Sequence, residues 1–325
     1  MAVITYREAL RQALTEEMKR DPGVFILGEE VGRYQGTFRV TEGLLQRFGE
    51  MRVVDTPISE SGIAGMAIGA AMIGLRPVAE FMTFSFALIA ADQLVNHAAK
   101  ILYMFGGQIA VPVVFRGPAG GGAQLSAQHS HSLESWYAHI PGLKVVTPAT
   151  PADAKGMLKT AIRDNNPVIF MEHAKLYSTR GEVPEGDYTV PFGVADVKRE
   201  GRDVTIIAYS QPVLLALHAA EKLAETEGIE CEVVDLRSLQ PLDMDTVLRS
   251  IRKTHRAVVV HEDHRNVGFG AEVVARIQEF AFDELDAPVL RVASADVPIP
   301  YARNLERAAF PSEEDIIRAV KRVLA

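Results

Sequence analysis

Short apolar runs alternate with helix-period segments along almost the whole chain, and that rhythm admits few folds. VFILGE (24–29), RPVAEF (76–81), PVVFRG (112–117), LKVVTP (143–148) and PVIFME (167–172) are apolar through their middles, as strands buried on both faces are. Helical periodicity fills the intervals at about 5–20, 59–74, 84–105 and 151–164, with Thr150 as a side-chain cap ahead of Pro151. Alternation of this kind predicts a mainly parallel sheet with helices on both faces. A length of 325 residues calls for two such domains. The polar, Gly- and Pro-containing stretch 181–200 reads as a linker between an α/β domain at 1–180 and a smaller one at 201–325. The second repeats the rhythm with DVTIIAYS, IECEVVDL, RAVVVHED and PVLRVAS, and with helices near 212–227, 243–252, 270–284 and from about 312.

A formal net charge of −8 and the lack of a long basic run exclude a nucleic-acid surface as the main business. The single cysteine, Cys231, sits in an alternating strand pattern and reads as a packed side chain. The amino terminus shows no signal-peptide pattern, and every apolar stretch is broken by Gly or charge before it spans a bilayer. No membrane role is expected. A bacterial cytoplasmic chain, or a mature mitochondrial form after removal of a targeting segment, fits these features.

Chemistry concentrates in a few places. Glu60 opens a helix of small residues in which Gly62, Gly65, Gly69 and Ala70 recur at three- and four-residue spacing. Each such glycine sacrifices helix propensity, about 1 kcal/mol relative to Ala, which points to a tight contact within the fold or between subunits. As an isolated feature, Glu60 is equally an acid placed to favour the helix dipole. RGPAGGGAQ (116–124) and the Gly268/Gly270 pair do not match G-x-G-x-x-G, so a nicotinamide site is not expected, and no P-loop occurs. His129 and His131 follow the first Gly-rich loop, beyond a strand end where α/β folds place functional groups; no third metal ligand stands at a familiar spacing. No serine or cysteine hydrolase signature is present.

The segment DTPISESGIAGMAIGAAMIGLRPVAEFMTFSF, with FRGPAGGGAQLSAQHSHS and AIRDNNPVIFMEH downstream, resembles the beta subunits of the thiamine-diphosphate-dependent 2-oxoacid dehydrogenases. The likeness is closest to the pyruvate type and runs from ITYREALRQALTEEM to ADVPIPYARNLE. It implies a transketolase-like pyrimidine-binding domain followed by a transketolase C-terminal-like domain. The implied activity is oxidative decarboxylation of pyruvate with reductive acylation of a lipoyl group. By the same resemblance, Glu60 contacts a ring nitrogen of the coenzyme's aminopyrimidine, where a carboxyl shielded from water can share its proton. Met82 and Phe86 form the apolar wall against that ring, although plain core packing explains Met82 as well. His129 faces the substrate side and steadies the reacting groups or assists lipoyl transfer.

The resemblance also implies a potassium ion held mostly by main-chain oxygens of Val113, Ala161, Ile162, Asp164 and Asn166; an ordinary helix-to-strand turn is the plainer reading of those residues. The chain lacks the G-D-G…N-N element that grips magnesium and diphosphate in this enzyme class, so an alpha subunit is expected to supply it. The implied assembly is a heterotetramer of two alpha and two beta chains that meets the lipoyl and subunit-binding domains of a dihydrolipoyl acyltransferase core. Acids near the end (Glu306, Glu313, Glu314, Asp315) are candidates for that dock, or simply solvated helix starts. Two other readings stay open: a branched-chain 2-oxoacid or acetoin dehydrogenase beta subunit, and a non-catalytic scaffold for the alpha chain.

Overall fold

The computed structural model describes residues 1–325, which divide into two compact units: Met1–Ala119 with Trp136–Phe192, and Gly120–Ser135 with Gly193–Ala325.

In the first unit the strands are Ala2–Thr5 (β1), Val24–Gly28 (β2), Val53–Asp55 (β3), Arg76–Glu80 (β4), Val114–Ala119 (β5), Lys144–Val146 (β6), Val168–His173 (β7) and Arg180–Val183 (β8). Strands β6, β7, β5, β4, β2 and β3 lie side by side in that order and all run parallel. β5 and β7 are buried at every position, as their mainly apolar composition predicts, with Arg116, Glu172 and His173 buried among the apolar residues. The first helix, Tyr6–Arg20, starts from a capping box made by Thr5 and Glu8 and ends on Lys19 and Arg20, satisfying free amides at one end and the dipole at the other. It packs on helix Pro151–Arg163, where Lys155 and Lys159 each reach Glu16 at 2.7 Å and Arg163 reaches buried Glu17 at 2.6 Å. Thr150 caps that second helix through the Asp153 amide, with Pro151 in its first turn.

The run expected as one helix over 84–105 departs from that expectation. It breaks into a 3-10 segment, Phe84–Ala90, a wider π-type segment, Gln93–Ala98, and a short α-turn, Ile101–Met104. The reason lies in the spacing of its core residues. Phe84, Ala87 and Ala90 recur every three positions, whereas Ala90, Leu94 and Ala98 recur every four, so the winding loosens to keep one side inward.

In the second unit, Asp196–Arg199 (β9), Val204–Ala208 (β10), Cys231–Asp235 (β11), Ser238–Gln240 (β12), Ala257–His264 (β13) and Leu290–Ser294 (β14) are the strands. Five of them form a sheet in the order β14-β13-β10-β11-β9, parallel except for β9. The segment expected as a linker, 181–200, contributes a strand to each unit: most of β8, which pairs antiparallel with β1, and β9, which pairs antiparallel with β11. Its polar composition is that of edge strands, which face water and need no apolar run. The Gly-rich segment Gly120–Ser135 belongs to the second unit, although the sequence around it builds the first.

Candidate functional site

Parallel sheets bind ligands at the carboxyl ends of strands, in the crevice where successive connections leave in opposite directions. In the first unit that crevice lies between β2 and β4, because the chain leaves β2 toward β3 and leaves β4 toward β5. Glu29 follows β2 directly, and Met82 stands two residues beyond β4. Glu60 is the first residue of helix Glu60–Met72, which leads into β4. Strand register brings Gly28 against Glu80, and a β-carbon on Gly28 would stand 2.4 Å from the Glu80 carbonyl, so only glycine allows β2 and β4 to close here.

Glu60 is 5 % exposed, and its carboxylate makes no hydrogen bond or ion pair within the chain. Glu29 is as deeply buried, with Oε1 unpartnered. Burial first, and the charge of Glu60 second, raise the Glu29 carboxyl above its ordinary range. Two buried carboxyls thus sense each other with no cation paired to either, and one oxygen, Glu29 Oε1, is left without a hydrogen-bond partner. Met82 and Phe86 are half-buried, while their neighbours Phe81 and Phe84 pack edge to face at 5.7 Å in the core. The two residues expected as a coenzyme wall therefore keep part of their surface open.

Behind the edge lies a buried charge network that sequence reading missed. Arg116, 1 % exposed, binds Glu172 through Nε and Nη2 (2.5 and 2.6 Å) and Glu80 through Nη1, while the Tyr177 hydroxyl donates to Glu172 at 2.7 Å. Glu80, Arg116 and Glu172 tie β4, β5 and β7 together, and Tyr177 joins them from the turn that follows β7. The signal in the letters was slight: a charged residue within or at the end of each of three mainly apolar strands.

The five carbonyls expected to hold potassium sit at the turn before β7 and just ahead of β5. Val113 O accepts from the Val168 amide at 2.9 Å, and Ala161 O from the Asp164 amide at 3.3 Å. Ile162 O and Asp164 O both accept from Arg76 Nη1, at 3.0 and 2.9 Å. The Asp164 side chain pairs with Lys144 and accepts from the Asn166 amide at 2.8 Å. Two of the expected ligands thus already face a cation, the guanidinium of Arg76.

The second unit has its own switch point, between β10 and β13. Tyr209 follows β10, and β13 ends in Glu262, Asp263 and His264; the segment Gly120–Ser135 is held there by Glu262 Oε1, which accepts from the Gly121 amide at 2.9 Å. His129 lies exposed on a 3-10 turn, Ala127–His129. His131 is half-buried; burial first, then His264 and His129, lower its pKa. Glu134 is raised well above the usual carboxyl range by burial, Asp263 and Glu262. Asp263 is raised chiefly by burial, and the hydroxyl of buried Tyr209 has no partner. The Gly268/Gly270 pair serves packing: added β-carbons would stand 2.7 and 2.4 Å from the ring of buried His261. Burial pushes that imidazole down to about 4, so it is neutral near pH 7. Cys231 is fully buried, its thiol pushed up to about 12, as a packed side chain should be.

The terminal acids do not form one exposed face. Glu306 is 2 % exposed and bonds the Gly122 and Gln124 amides, Asp315 caps the last helix with Ser312, and Glu313 reaches Lys222 at 3.3 Å. Burial removes Glu306 from any docking surface.

Comparison with known proteins now adds to this geometry. Residues 2–179 match the transketolase pyrimidine-binding domain, and residues 193–316 the transketolase C-terminal domain. The chain is 53% identical to the pyruvate dehydrogenase E1 component subunit beta of Rickettsia felis, covering 98% of each, and 50% identical to the mitochondrial counterpart of Bos taurus, covering 99% of this chain and 90% of that one. A solved structure described as a split gene transketolase, inactive beta4 tetramer, aligns with a TM-score of 0.81 at 27% identity, covering 99% of this chain and 98% of that one. The chain therefore belongs to the family of pyruvate dehydrogenase E1 component beta subunits, built from the two transketolase domains.

Proposed function

We propose that the chain is the beta half of a thiamine-diphosphate-dependent pyruvate dehydrogenase, catalytic only when joined to an alpha subunit. The observation that carries this reading is the buried, unpaired carboxyl of Glu60, beside Glu29 at the switch point of the first sheet. The residues fit the coenzyme's aminopyrimidine: the carboxyls of Glu60 and Glu29, the latter with an unpartnered buried oxygen, for its ring nitrogen and amino group, with Met82 and Phe86 as half-buried apolar surface. Bound there, thiamine diphosphate supplies the electron sink for decarboxylating a 2-oxoacid. The Glu60 carboxyl would share a proton with the ring nitrogen, beside a Glu29 carboxyl that burial and then the charge of Glu60 raise above its ordinary range. His129, exposed on its turn, serves the substrate side and transfer to the lipoyl group.

A partner is supported by surface as well as by the half-built site. Gly62 and Gly69 of helix Glu60–Met72 face outward with Met66, and Ile73 and Tyr103 are 81 and 87 % exposed. An alpha/beta heterotetramer covers such faces and provides the magnesium and diphosphate ligands. The transketolase relative, described as an inactive beta4 tetramer, is in keeping with beta chains needing a second kind of chain. Lipoyl and subunit-binding domains of an acyltransferase core are the further partners. No helix is long and apolar enough to cross a membrane, and the reading places the enzyme in a bacterial cytoplasm, as the bacterial relatives suggest. Potassium at the Ala161–Asn166 turn, beside Arg76, completes the proposal.

Glu60→Gln in the reconstituted enzyme tests the core of it. Assembly should persist while decarboxylation falls by roughly a hundredfold or more, the scale of general acid–base catalysis. Unchanged turnover would leave the scaffold reading in its place. Steady-state rates on pyruvate against 3-methyl-2-oxobutanoate fix the substrate; preference for the branched acid would move the chain to the branched-chain enzymes.

A further inference from the structure

Glu306 is a buried carboxylate with no ion pair, and its Oε1 accepts from two backbone amides, Gly122 at 3.1 Å and Gln124 at 2.9 Å. Both amides belong to the Gly-rich segment that leads to His129. Glu262 Oε1 holds the start of the same segment through the Gly121 amide at 2.9 Å and lies 3.5 Å from the Ser132 hydroxyl. Phe310 closes the third side: a β-carbon on Gly121 would stand 2.3 Å from its ring. The segment is strained where it is gripped. Gln124 and Ser126 have φ of 57° and 68°, a region that costs non-glycine residues energy unless the surroundings impose it. Further along, the Gly120 amide bonds the His131 carbonyl at 2.9 Å, and the Ser130 hydroxyl bonds the Ser126 carbonyl at 2.8 Å, which closes the segment on itself. A buried carboxylate without a cation is stabilised by amide donors, and here those amides lie in the loop that leads to exposed His129.

We propose that Glu306 is a positioning residue for His129. Its carboxylate, with Glu262 and Phe310, imposes the strained path of residues 120–126 and so fixes where the imidazole is presented. The inference rests on the reading of His129 as a group acting at lipoyl transfer.

The test uses the full alpha/beta enzyme with a lipoyl domain as acceptor, comparing Glu306→Ala and Glu306→Gln, the latter retaining an acceptor oxygen. Hydrogen exchange over residues 118–133 reports the loop, and kcat/KM for the lipoyl domain reports its consequence. Glu306→Ala should speed exchange in the loop and lower kcat/KM by roughly tenfold to a hundredfold, the scale of a small misplacement of a reacting group. Glu306→Gln should restore most of both. In a His129→Gln background, Glu306→Ala should lower the rate little further. Unchanged loop exchange, or an equal loss whether or not His129 is present, would overturn the positioning role. Unaltered lipoyl transfer in His129→Gln alone would instead remove the reading of His129 on which it rests, and the two failures are told apart by which variant reports them.

Discussion

Buried carboxyls set the chemistry of this chain residue by residue, and each is handled differently. Glu172 is neutralised by Arg116, Glu306 is held by amides, and Glu29, Glu134 and Asp263 are pushed toward their protonated forms by burial. Glu134 gives a pH prediction. Burial, with Asp263 and Glu262 adding, raises its pKa well above the ordinary 4.5, so the folded chain keeps a proton that the unfolded chain releases. Stability from this site is complete below 4.5 and declines as pH rises toward the raised value. Glu134→Gln, uncharged and nearly isosteric, should remove that decline, so urea unfolding from about pH 5 to about pH 8 should show the variant gaining on its parent. Curves that stay parallel across this range would contradict the assignment. Glu60 was singled out by the family resemblance of its segment; as an acid heading a helix of small residues it reads first as a helix-dipole partner. Glu29 was not: its only signal is a charge directly after an apolar strand, and that pattern is common.

Among the elements, helix Glu60–Met72 has two sides that the sequence could not tell apart. Ile63, Ala64, Ala67 and Ile68 face the core, while Gly62, Met66 and Gly69 look outward. The glycine spacing announced a close contact and left its partner unnamed; within this chain a β-carbon on Gly62 meets only Ser59 of its own cap, and one on Gly69 has no neighbour within 4 Å. Gly69→Leu should therefore leave the isolated chain folded with an unaltered circular dichroism melt, yet weaken association with the alpha subunit in sedimentation. A variant that assembles normally would place the partner elsewhere. The Gly268/Gly270 pair shows the opposite outcome: glycines that invited a ligand reading make room for a side chain of the same unit, His261. The segment at 84–105 adds a third lesson. Periodicity located a helical run, and the mixed spacing of its buried residues decided how it winds.

As a whole, the molecule is proposed to hold half of a coenzyme site. The isolated chain should bind thiamine diphosphate at least a hundredfold more weakly than the alpha/beta enzyme by calorimetry, a coupling of about 3 kcal/mol; equal affinity would refute the shared site. Potassium is checked by melting. Chloride salts of potassium and sodium at equal ionic strength should give different midpoints, potassium the higher, because a ligand bound only to the folded state stabilises it. Identical midpoints would leave the side chains of Arg76 and Lys144 as the cations at that turn.

Local information determined most of the architecture. Buried parallel strands need mainly apolar runs and their covering helices need a 3.6-residue period, so fold class, the two parallel sheets and most element positions followed from the sequence. Tertiary structure decided what the local pattern does not contain. Glu306 meets Gly122 and Gln124 across 184 and 182 residues, and the 120–135 segment joins the second unit although its neighbours build the first. Such pairings are set by chain crossovers and by the need to satisfy buried charges, and neither leaves a periodic trace in the letters.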